Sequence, residues 1–539
     1  MAIGKLLVAN RGEIAVRVFR ACREVGIETV AVAAADDCGS LHARSADDTV
    51  EIASYLHSEE HVRAAKQSGA DAIHPGYGFL AEKADFARAV EAAGLTWVGP
   101  PPAALEAAGD KLESKRIARE AGVPVVEAGE PAELGYPLIL KAAAGGGGRG
   151  MRVVRSADEL PDALDAARRE AEAAFGDDAV FAERYVERPR HVEIQLLADA
   201  HGKVVSLGER ECSIQRRHQK VLEESPSPAL DPALRVRMSE AAVAFASAIG
   251  YRNAGTAEFM LDGRGDYYFL ELNGRIQVEH PVTELVTGVD LVHEQLRIAN
   301  GGRLELRPEL DGHAIEVRLY AEDPRTFFPQ SGRIERLHLP NSIRVDAGVE
   351  EGDEVGLTYD PMIAKLIAHG ETRDEALARL RRALAETEVG GVVTNLPFLR
   401  WLVAHPNLRA GRTTTAFLVE NPPLSEPPPK PPDRAWQGGW RLNLAAPAPQ
   451  PPPDIDQASH DHGAPGAEQS ALTAPMPGTV IKVAVAAGDS VEPRQTLLVL
   501  EAMKMETPVV SPYAATVRAV HVREGDRVVG GALLVELEE

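Results

Sequence analysis

The chain has 539 residues, too many for one ordinary hydrophobic core, so several domains are expected. Its 58 basic and 81 acidic residues leave a formal charge of −23, which disfavours nucleic acid and anionic membranes as partners. Cys22, Cys38 and Cys212 are widely spaced and form no CxxC pair, which argues against zinc or redox chemistry and fits a reducing compartment.

The first residues, "MAIGKLLVANRGEIAVR", hold only a short apolar run before charges begin, and no run of eighteen or more apolar residues follows anywhere. A cytoplasmic protein without anchor or cleaved signal is the expectation. Leu6 to Ala9 read as a strand, and Ile14, Val18, Cys22 and Val25 then recur at helical spacing. Gly26 is placed to end that helix before a second apolar run, Thr29 to Ala33. This is a βαβ opening, and "DAIHPGYGFLAE" reads as a further strand-to-loop unit of the same α/β domain. No GxGxxG is present there, so a dinucleotide site is not supported.

"KAAAGGGGRGMRVV", Lys141 to Val154, sets four glycines and Arg149 between two apolar strands. Such a backbone can approach phosphates closely and offer N–H groups to them, although by itself the stretch equally reads as a loose hairpin. "ECSIQRRHQKVLEESP" brings Arg216, Arg217, His218 and Lys220 together, alone no more than a basic face. In "GTAEFMLDGRGDYYFLELNGRIQVEH", Glu258 and Glu271 lie on two apolar strands joined by a DGRGD turn, so both carboxylates can meet at one end of the pair. With Asn273 they form a hard oxygen set suited to Mg2+ beside nucleotide phosphates. Solvated acids on a sheet edge are the alternative. Arg275, Gln277, Glu279 and His280 then follow too densely for an ordinary strand.

Residues 421 to 470 hold thirteen prolines, in runs such as "EPPPKPP" and "QPPPD". A semi-rigid tether is expected, at most roughly 150 Å long in polyproline form and nearer 40 Å as a coil. After it comes an internal repeat with a shift of 37 positions, which superposes Gly488-Asp489 on Gly525-Asp526. The same shift pairs Val480 with Val517, Val491 with Val528, Leu497 with Leu534 and Leu500 with Leu537. Two β-rich halves imply a small pseudo-symmetric sandwich, with "LEAMKMETP" at the join projecting Lys504 from a turn. An isolated Met-Lys-Met would be a solvated lysine flanked by gap-filling methionines. On a tethered β domain it suits a mobile covalent carrier.

Residues 471 to 539 resemble the biotinyl (biotin carboxyl carrier) family, whose Ala-Met-Lys-Met stands here as Ala502-Met503-Lys504-Met505. The related lipoyl domains usually lack the methionines. From about Lys5 to Glu420 the chain resembles a biotin carboxylase of the ATP-grasp superfamily, on "ANRGEIAVR", "IHPGYGFLAE", "GDKLESK", "GGGGRGMRVV", "RHVEIQ", "CSIQRRHQK", "ELNGRIQVEH" and "YDPMIAKLI". The resemblance implies a multidomain α/β chain. A Rossmann-like N-terminal domain would span 1–110, an ATP-grasp domain 111–310, a mixed α+β C-terminal carboxylase domain 311–420, a proline-rich linker 421–470 and an all-β biotinyl sandwich 471–539.

It also implies roles for individual residues. Lys111, Lys141, Gly147 and Gly148 would contact ATP phosphates. Glu183, Arg184, Tyr185, Val186 and His191 would hold the adenine end, and Gln215 and His218 would face the nucleotide. Glu258, Glu271 and Asn273 would hold Mg2+, with Mn2+ as an alternative. Lys220, Arg275, Gln277 and Val278 would seat bicarbonate for the base Glu279, giving carboxyphosphate. Arg318 would stabilise the biotin anion, and Lys504 would carry covalent biotin. Bicarbonate is a weak nucleophile repelled by phosphate, so cations must neutralise both anions while a carboxylate takes the proton.

In this family threonine or proline commonly precedes the arginine where Gly274 stands here, and glycine frees that backbone. The implied function is ATP-dependent carboxylation of biotin for a separate carboxyltransferase β subunit that acts on acetyl-, propionyl- or 3-methylcrotonyl-CoA. Biotin protein ligase would be a further partner, and the holoenzyme would be oligomeric. "WQGGWRLN" places Trp436 and Trp440 in the linker, as a remnant docking patch or a plain apolar interruption. A lipoyl carrier and an ATP-grasp scaffold without activity are the rival classes. The first is opposed by the methionines around Lys504, the second by the full set of charged residues.

Overall fold

A computed structural model describes residues 3–142, 151–175, 178–216, 219–423, 471–474, 478–502, 505–528 and 531–538. Two compact units are distinguished: 1–324 with 332–355 and 362–423, and 325–331 with 356–361 and everything from 424 onward.

The first unit opens on the expected βαβ pattern. Strands Lys5–Val8, Glu28–Ala34, Asp48–Ile52, Ala72–His74 and Thr96–Trp97 form a parallel sheet with Lys5–Val8 at its centre. Helix Gly12–Glu24 buries Ile14, Val18 and Cys22 against it. Val25, read from the sequence as a fourth member of that apolar stripe, is instead 52% exposed. It occupies the C-cap, where the backbone has left the helix, and Gly26 follows at φ 75° in the left-handed region that favours glycine.

A second, four-stranded sheet contains Ala128–Gly129, Leu138–Ala142, Arg152–Val154 and Val180–Arg184. Leu138 faces Val154 across the strands that flank the glycine-rich loop. The loop itself, with Gly147 and Gly148, lies outside the described residues.

The largest sheet determines the site. Its eight strands run, in spatial order, Tyr267–Asn273, Asn253–Leu261, Arg190–Ala198, Val204–Arg216, Gln219–Ser225, His313–Tyr320, Met362–Gly370 and Arg344–Ala347. Every neighbouring pair is antiparallel. The sheet is continuous from the hairpin bearing Glu258 and Glu271 to the strand bearing Arg318. One face packs apolar side chains such as Ile194, Phe259 and Phe269 against Phe245 of helix Pro232–Ala248. Polar residues that alternate with them, including Glu193, Gln195 and Arg210, are also fully buried.

In the second unit, residues 471–538 form two four-stranded antiparallel sheets. One joins Gly478–Val483 to Arg527–Val528, and the other joins Ala515–Val520 to Ser490–Val491. Each half of the repeat therefore lends its short strand to the sheet of the other half. The repeated Val480, Val517, Leu497, Leu534, Leu500 and Leu537 all lie in one core, as the 37-residue shift anticipated. Strands Thr496–Ala502 and Met505–Val510 pair through Ala502 and Met505. Lys504, between them in sequence, lies outside the described residues, as do residues 424–470 of the proline-rich tether, Trp436 and Trp440 among them.

Candidate active site

Lys220 is the hub. Its ammonium donates to Glu193 Oε2 at 2.5 Å, Glu279 Oε1 at 2.7 Å and Glu258 Oε1 at 2.8 Å. Sheet register explains the convergence: Glu193 faces Glu258 on the adjacent strand, Glu258 faces Glu271 beyond it, and Lys220 faces Gln215. The loop after Asn273 then brings Glu279 over the sheet at the start of helix His280–Thr287.

Each carboxylate has a second cation. Glu193 Oε1 accepts from Arg210 Nε at 2.5 Å, Glu258 Oε2 pairs with His191 Nε2 at 3.0 Å, and Glu279 Oε2 accepts from Arg318 Nη2 at 2.9 Å. Burial pushes Glu279 up, but Lys220, Arg318 and Arg210 together hold its carboxyl well below the ordinary range. Glu258 is likewise held down, against burial, by Lys220 and His191. Burial would lower Lys220, yet its three carboxylates raise it well above the usual lysine value. Three anions around one ammonium make a site that is charged throughout.

Arg275 borders the same cluster. Its Nη1 lies 3.3 Å from Gln277 Oε1, its Nη2 3.4 Å from Asn273 Oδ1, and its Nε 3.0 Å from Glu82 Oε2. The amide of Gly274 donates to Glu82 Oε1 at 3.2 Å, so one carboxylate from the "GYGFLAE" loop ties both the glycine backbone and Arg275. A Cβ at Gly274 would come within 2.6 Å of Leu105 Cδ2, so leucine fills the space that a larger residue would claim. The freedom that glycine brings here is thus checked by Glu82. Gln277 Nε2 reaches Glu258 Oε1 at 3.5 Å, and the carbonyl of Val278 accepts from the buried Lys365 at 2.8 Å.

Asn273 donates to Glu258 Oε1 at 2.9 Å. Glu271 is exposed at the rim, yet the surrounding protein and the charges of Glu258 and Glu82 push its pKa up against the pull of Lys111. This is surplus negative charge of the kind a divalent cation neutralises, and the Glu258, Glu271 and Asn273 donor set fits a magnesium ion.

On the smaller sheet, Lys141 donates to Glu183 Oε2 at 2.7 Å, and Lys115 closes on the other oxygen of that fully buried carboxylate. Lys111 begins a helix, Lys111–Glu120, whose N-cap Asp110 accepts from the amides of Leu112 and Glu113 at 3.0 and 2.9 Å. Burial and the charge of Lys141 lower the Lys111 pKa. Arg184 is exposed, Tyr185 and Val186 are half-buried, and Gln215 Nε2 donates to Cys212 O at 2.9 Å. His218 lies outside the described residues. Glu82, Lys115, Glu193, Arg210 and Lys365 were not foreseen. Glu82 ends "IHPGYGFLAE", Lys115 ends "GDKLESK", Glu193 stands inside "RHVEIQ" and Lys365 inside "YDPMIAKLI", so the family motifs contain four of the five and only Arg210 lies outside them.

A large antiparallel sheet that gathers lysines, arginines and paired carboxylates, next to a smaller sheet bearing a glycine-rich loop, defines an ATP-grasp carboxylase. Comparison with known families agrees. Residues 2–105 match the biotin carboxylase N-terminal domain, and 110–307 the carbamoyl-phosphate synthase L chain ATP-binding domain. Residues 316–420 match the biotin carboxylase C-terminal domain and 470–537 the biotin-requiring enzyme domain. A biotin carboxylase of Halalkalibacterium halodurans is 49% identical, over 77% of this chain and 97% of its own. A biotin-dependent acyl-coenzyme A carboxylase alpha3 subunit of Mycobacterium leprae is 42% identical over 99% of both. Among solved structures, the biotin carboxylase domain of the Hydrogenobacter thermophilus 2-oxoglutarate carboxylase, in complex with MgADP and bicarbonate, superposes with a TM-score of 0.75. It is 44% identical and covers 78% of this chain and 98% of that one.

The chain belongs to the biotin carboxylase family, joined to a biotin-requiring carrier domain in the manner of acyl-CoA carboxylase α subunits. Its reaction is the ATP-dependent carboxylation of biotin, in the service of a carboxyltransferase partner. No helix among the described residues is long and apolar enough to cross a membrane.

Proposed function

We propose that Glu279 is the base that deprotonates bicarbonate and that Lys220 controls its strength. The carrying observation is the Lys220 ammonium shared by Glu193, Glu258 and Glu279, with Arg318 closing on the second oxygen of Glu279. A carboxylate held this firmly ionised is a poor proton acceptor. Lys220 turning toward incoming phosphate and bicarbonate removes that restraint, so anion binding itself makes Glu279 basic. Arg275 and Gln277, with the amide of Val278, seat bicarbonate, and Lys365 fixes the Val278 peptide through its carbonyl.

Lys111 and Lys141, with Gly147 and Gly148, hold the ATP phosphates. Glu183, Arg184, Tyr185, Val186, His191, Gln215 and His218 complete the nucleotide site. Glu258, Glu271 and Asn273 hold Mg2+ or Mn2+, which supplies charge neutralisation at the phosphates. Biotin, attached to Lys504 by a biotin protein ligase, supplies the ureido nitrogen that accepts the carboxyl group. Arg318 lies 2.9 Å from the base and orients that acceptor by its charge.

The partner is a separate carboxyltransferase β subunit in an oligomeric cytoplasmic holoenzyme, and the acceptor is acetyl-, propionyl- or 3-methylcrotonyl-CoA. Labelled bicarbonate supplied to the biotinylated chain with its β subunit tests this against the three thioesters in parallel. One strongly preferred acceptor is the expected result. Labelled protein with no transfer to any of them would refute the acyl-CoA assignment.

A further inference from the structure

Behind Arg318 the large sheet holds a second pair of carboxyl groups that the reaction as described does not use. Glu223 on strand Gln219–Ser225 stands directly opposite Glu316 on strand His313–Tyr320, so the two side chains share a face. Both are fully buried. Glu223 Oε1 accepts from Arg318 Nε at 2.7 Å, whereas Glu223 Oε2 and both oxygens of Glu316 have no hydrogen-bond partner among the described residues.

Charged and titratable groups approach the pair from the neighbouring elements, among them Glu279, whose charge adds to that of the two glutamates. Arg318, two residues along from Glu316, is committed to Glu223 and Glu279. Lys365, from strand Met362–Gly370, lies 3.1 Å from Glu13 and 3.8 Å from Asp346 and donates to Val278 O. Lys220 is committed to its three carboxylates. His280, on the helix above, is kept neutral by burial and by Lys365. Cys212, from strand Val204–Arg216, is kept a thiol by burial. No cation among the described residues stands within 4 Å of Glu316.

A fully buried carboxylate without cation or donor costs several kcal/mol, far more than taking up a proton. Protonated, Glu316 becomes an O–H donor and needs an acceptor. The facing carboxyl of Glu223 offers one, its free Oε2.

We propose that Glu316 and Glu223 share one proton behind Arg318, and that this pair is a positioning device: its single negative charge leaves Arg318 divided between Glu223 and Glu279. Burial raises both groups, Glu223 to about 7 and Glu316 well above the ordinary range, in keeping with one retained proton. Loss of that proton places a second negative charge beside Arg318 and draws the guanidinium away from Glu279. The effect is an alkaline loss of biotin carboxylation. This rests on the placing of Arg318 at the biotin acceptor.

Glu316→Gln in the full chain tests it, because an amide keeps a donor and cannot lose a proton. The infrared band of a buried neutral carboxylic acid should disappear. Turnover with free biotin at neutral pH should stay within about threefold, since one neutral donor replaces another. The alkaline fall in kcat/KM for biotin should be absent. An unchanged infrared spectrum would overturn the shared proton. So would a loss of about a hundredfold at neutral pH that Glu316→Asp restores, because a required ionised carboxylate loses that much when its charge is removed. A vanished band with an unaltered pH profile would overturn the link to Arg318. Arg318→Ala with unchanged KM for biotin, the band still present, would instead locate the failure in the role given to Arg318.

Discussion

Replacing Lys220 with methionine keeps the side-chain volume and removes the charge at the centre of the site. Glu193, Glu258 and Glu279 then face one another with Arg210, His191 and Arg318 as their remaining cations. Breaking a buried ion pair costs about 3–5 kcal/mol, and because each carboxylate keeps one partner the lower end applies, about 3 kcal/mol at neutral pH. For a carboxylase part of about 420 residues, at about 2.1 cal/mol/K per residue, the unfolding entropy is about 0.9 kcal/mol/K, so the melting temperature should fall by about 3–4 °C. The pH dependence has a definite sign. In the wild type, Glu258 and Glu279 are held below the ordinary carboxylate value, so their contribution is full above that value and is lost as pH falls through the lowered ones. In Lys220→Met these values rise, the folded variant takes up protons on mild acidification, and its deficit relative to wild type narrows. Calorimetric melts of both proteins at pH 8 and pH 5.5 measure the difference. A deficit below about 1 kcal/mol, or one equal at both pH values, would refute a buried and mutually repelling carboxylate cluster.

Glu279→Gln should leave nucleotide binding intact and lower bicarbonate-dependent ADP release by about 10²–10⁴, the range for loss of a positioned base; near-normal turnover would remove Glu279 from that role. Lys504→Arg should abolish incorporation of biotin, followed by avidin blotting, while ATP cleavage with free biotin persists. Loss of that cleavage in a folded variant would contradict separate carboxylase and carrier functions.

The motifs made the architecture legible because glycine-rich, proline-rich and charge-dense stretches break the ordinary alternation of strands. Glu258 and Glu271 could be paired from the DGRGD turn alone, and the register bears that out. The carrier was legible as a repeat, although the exchange of short strands between its halves is set by pairing between residues far apart in sequence. The inner ion network was harder to see. Glu193 and Gln195 alternate with Val192, Ile194 and Leu196, the pattern of a half-solvated strand, yet both polar residues have no exposed surface. Long-range contacts settle the matter: Arg210, from the neighbouring strand, donates to both Glu193 and Gln195, and Thr283, from the helix above, accepts from that same guanidinium. The grip of Glu82 on Gly274 and Arg275 spans 192 residues of sequence, and no local pattern encodes it.

The eight-stranded sheet has a consequence for how this chain can be taken apart. Family boundaries fall at 307 and 316, an inviting place to divide the gene. A cut there would separate strand Gln219–Ser225 from its neighbour His313–Tyr320, stripping Glu224 and Ser225 of their backbone partners and leaving a long open edge that invites aggregation. The carrier closes its two sheets with strands of its own, so it is the natural piece to exchange between chimaeras. The carboxylase part must be transplanted whole.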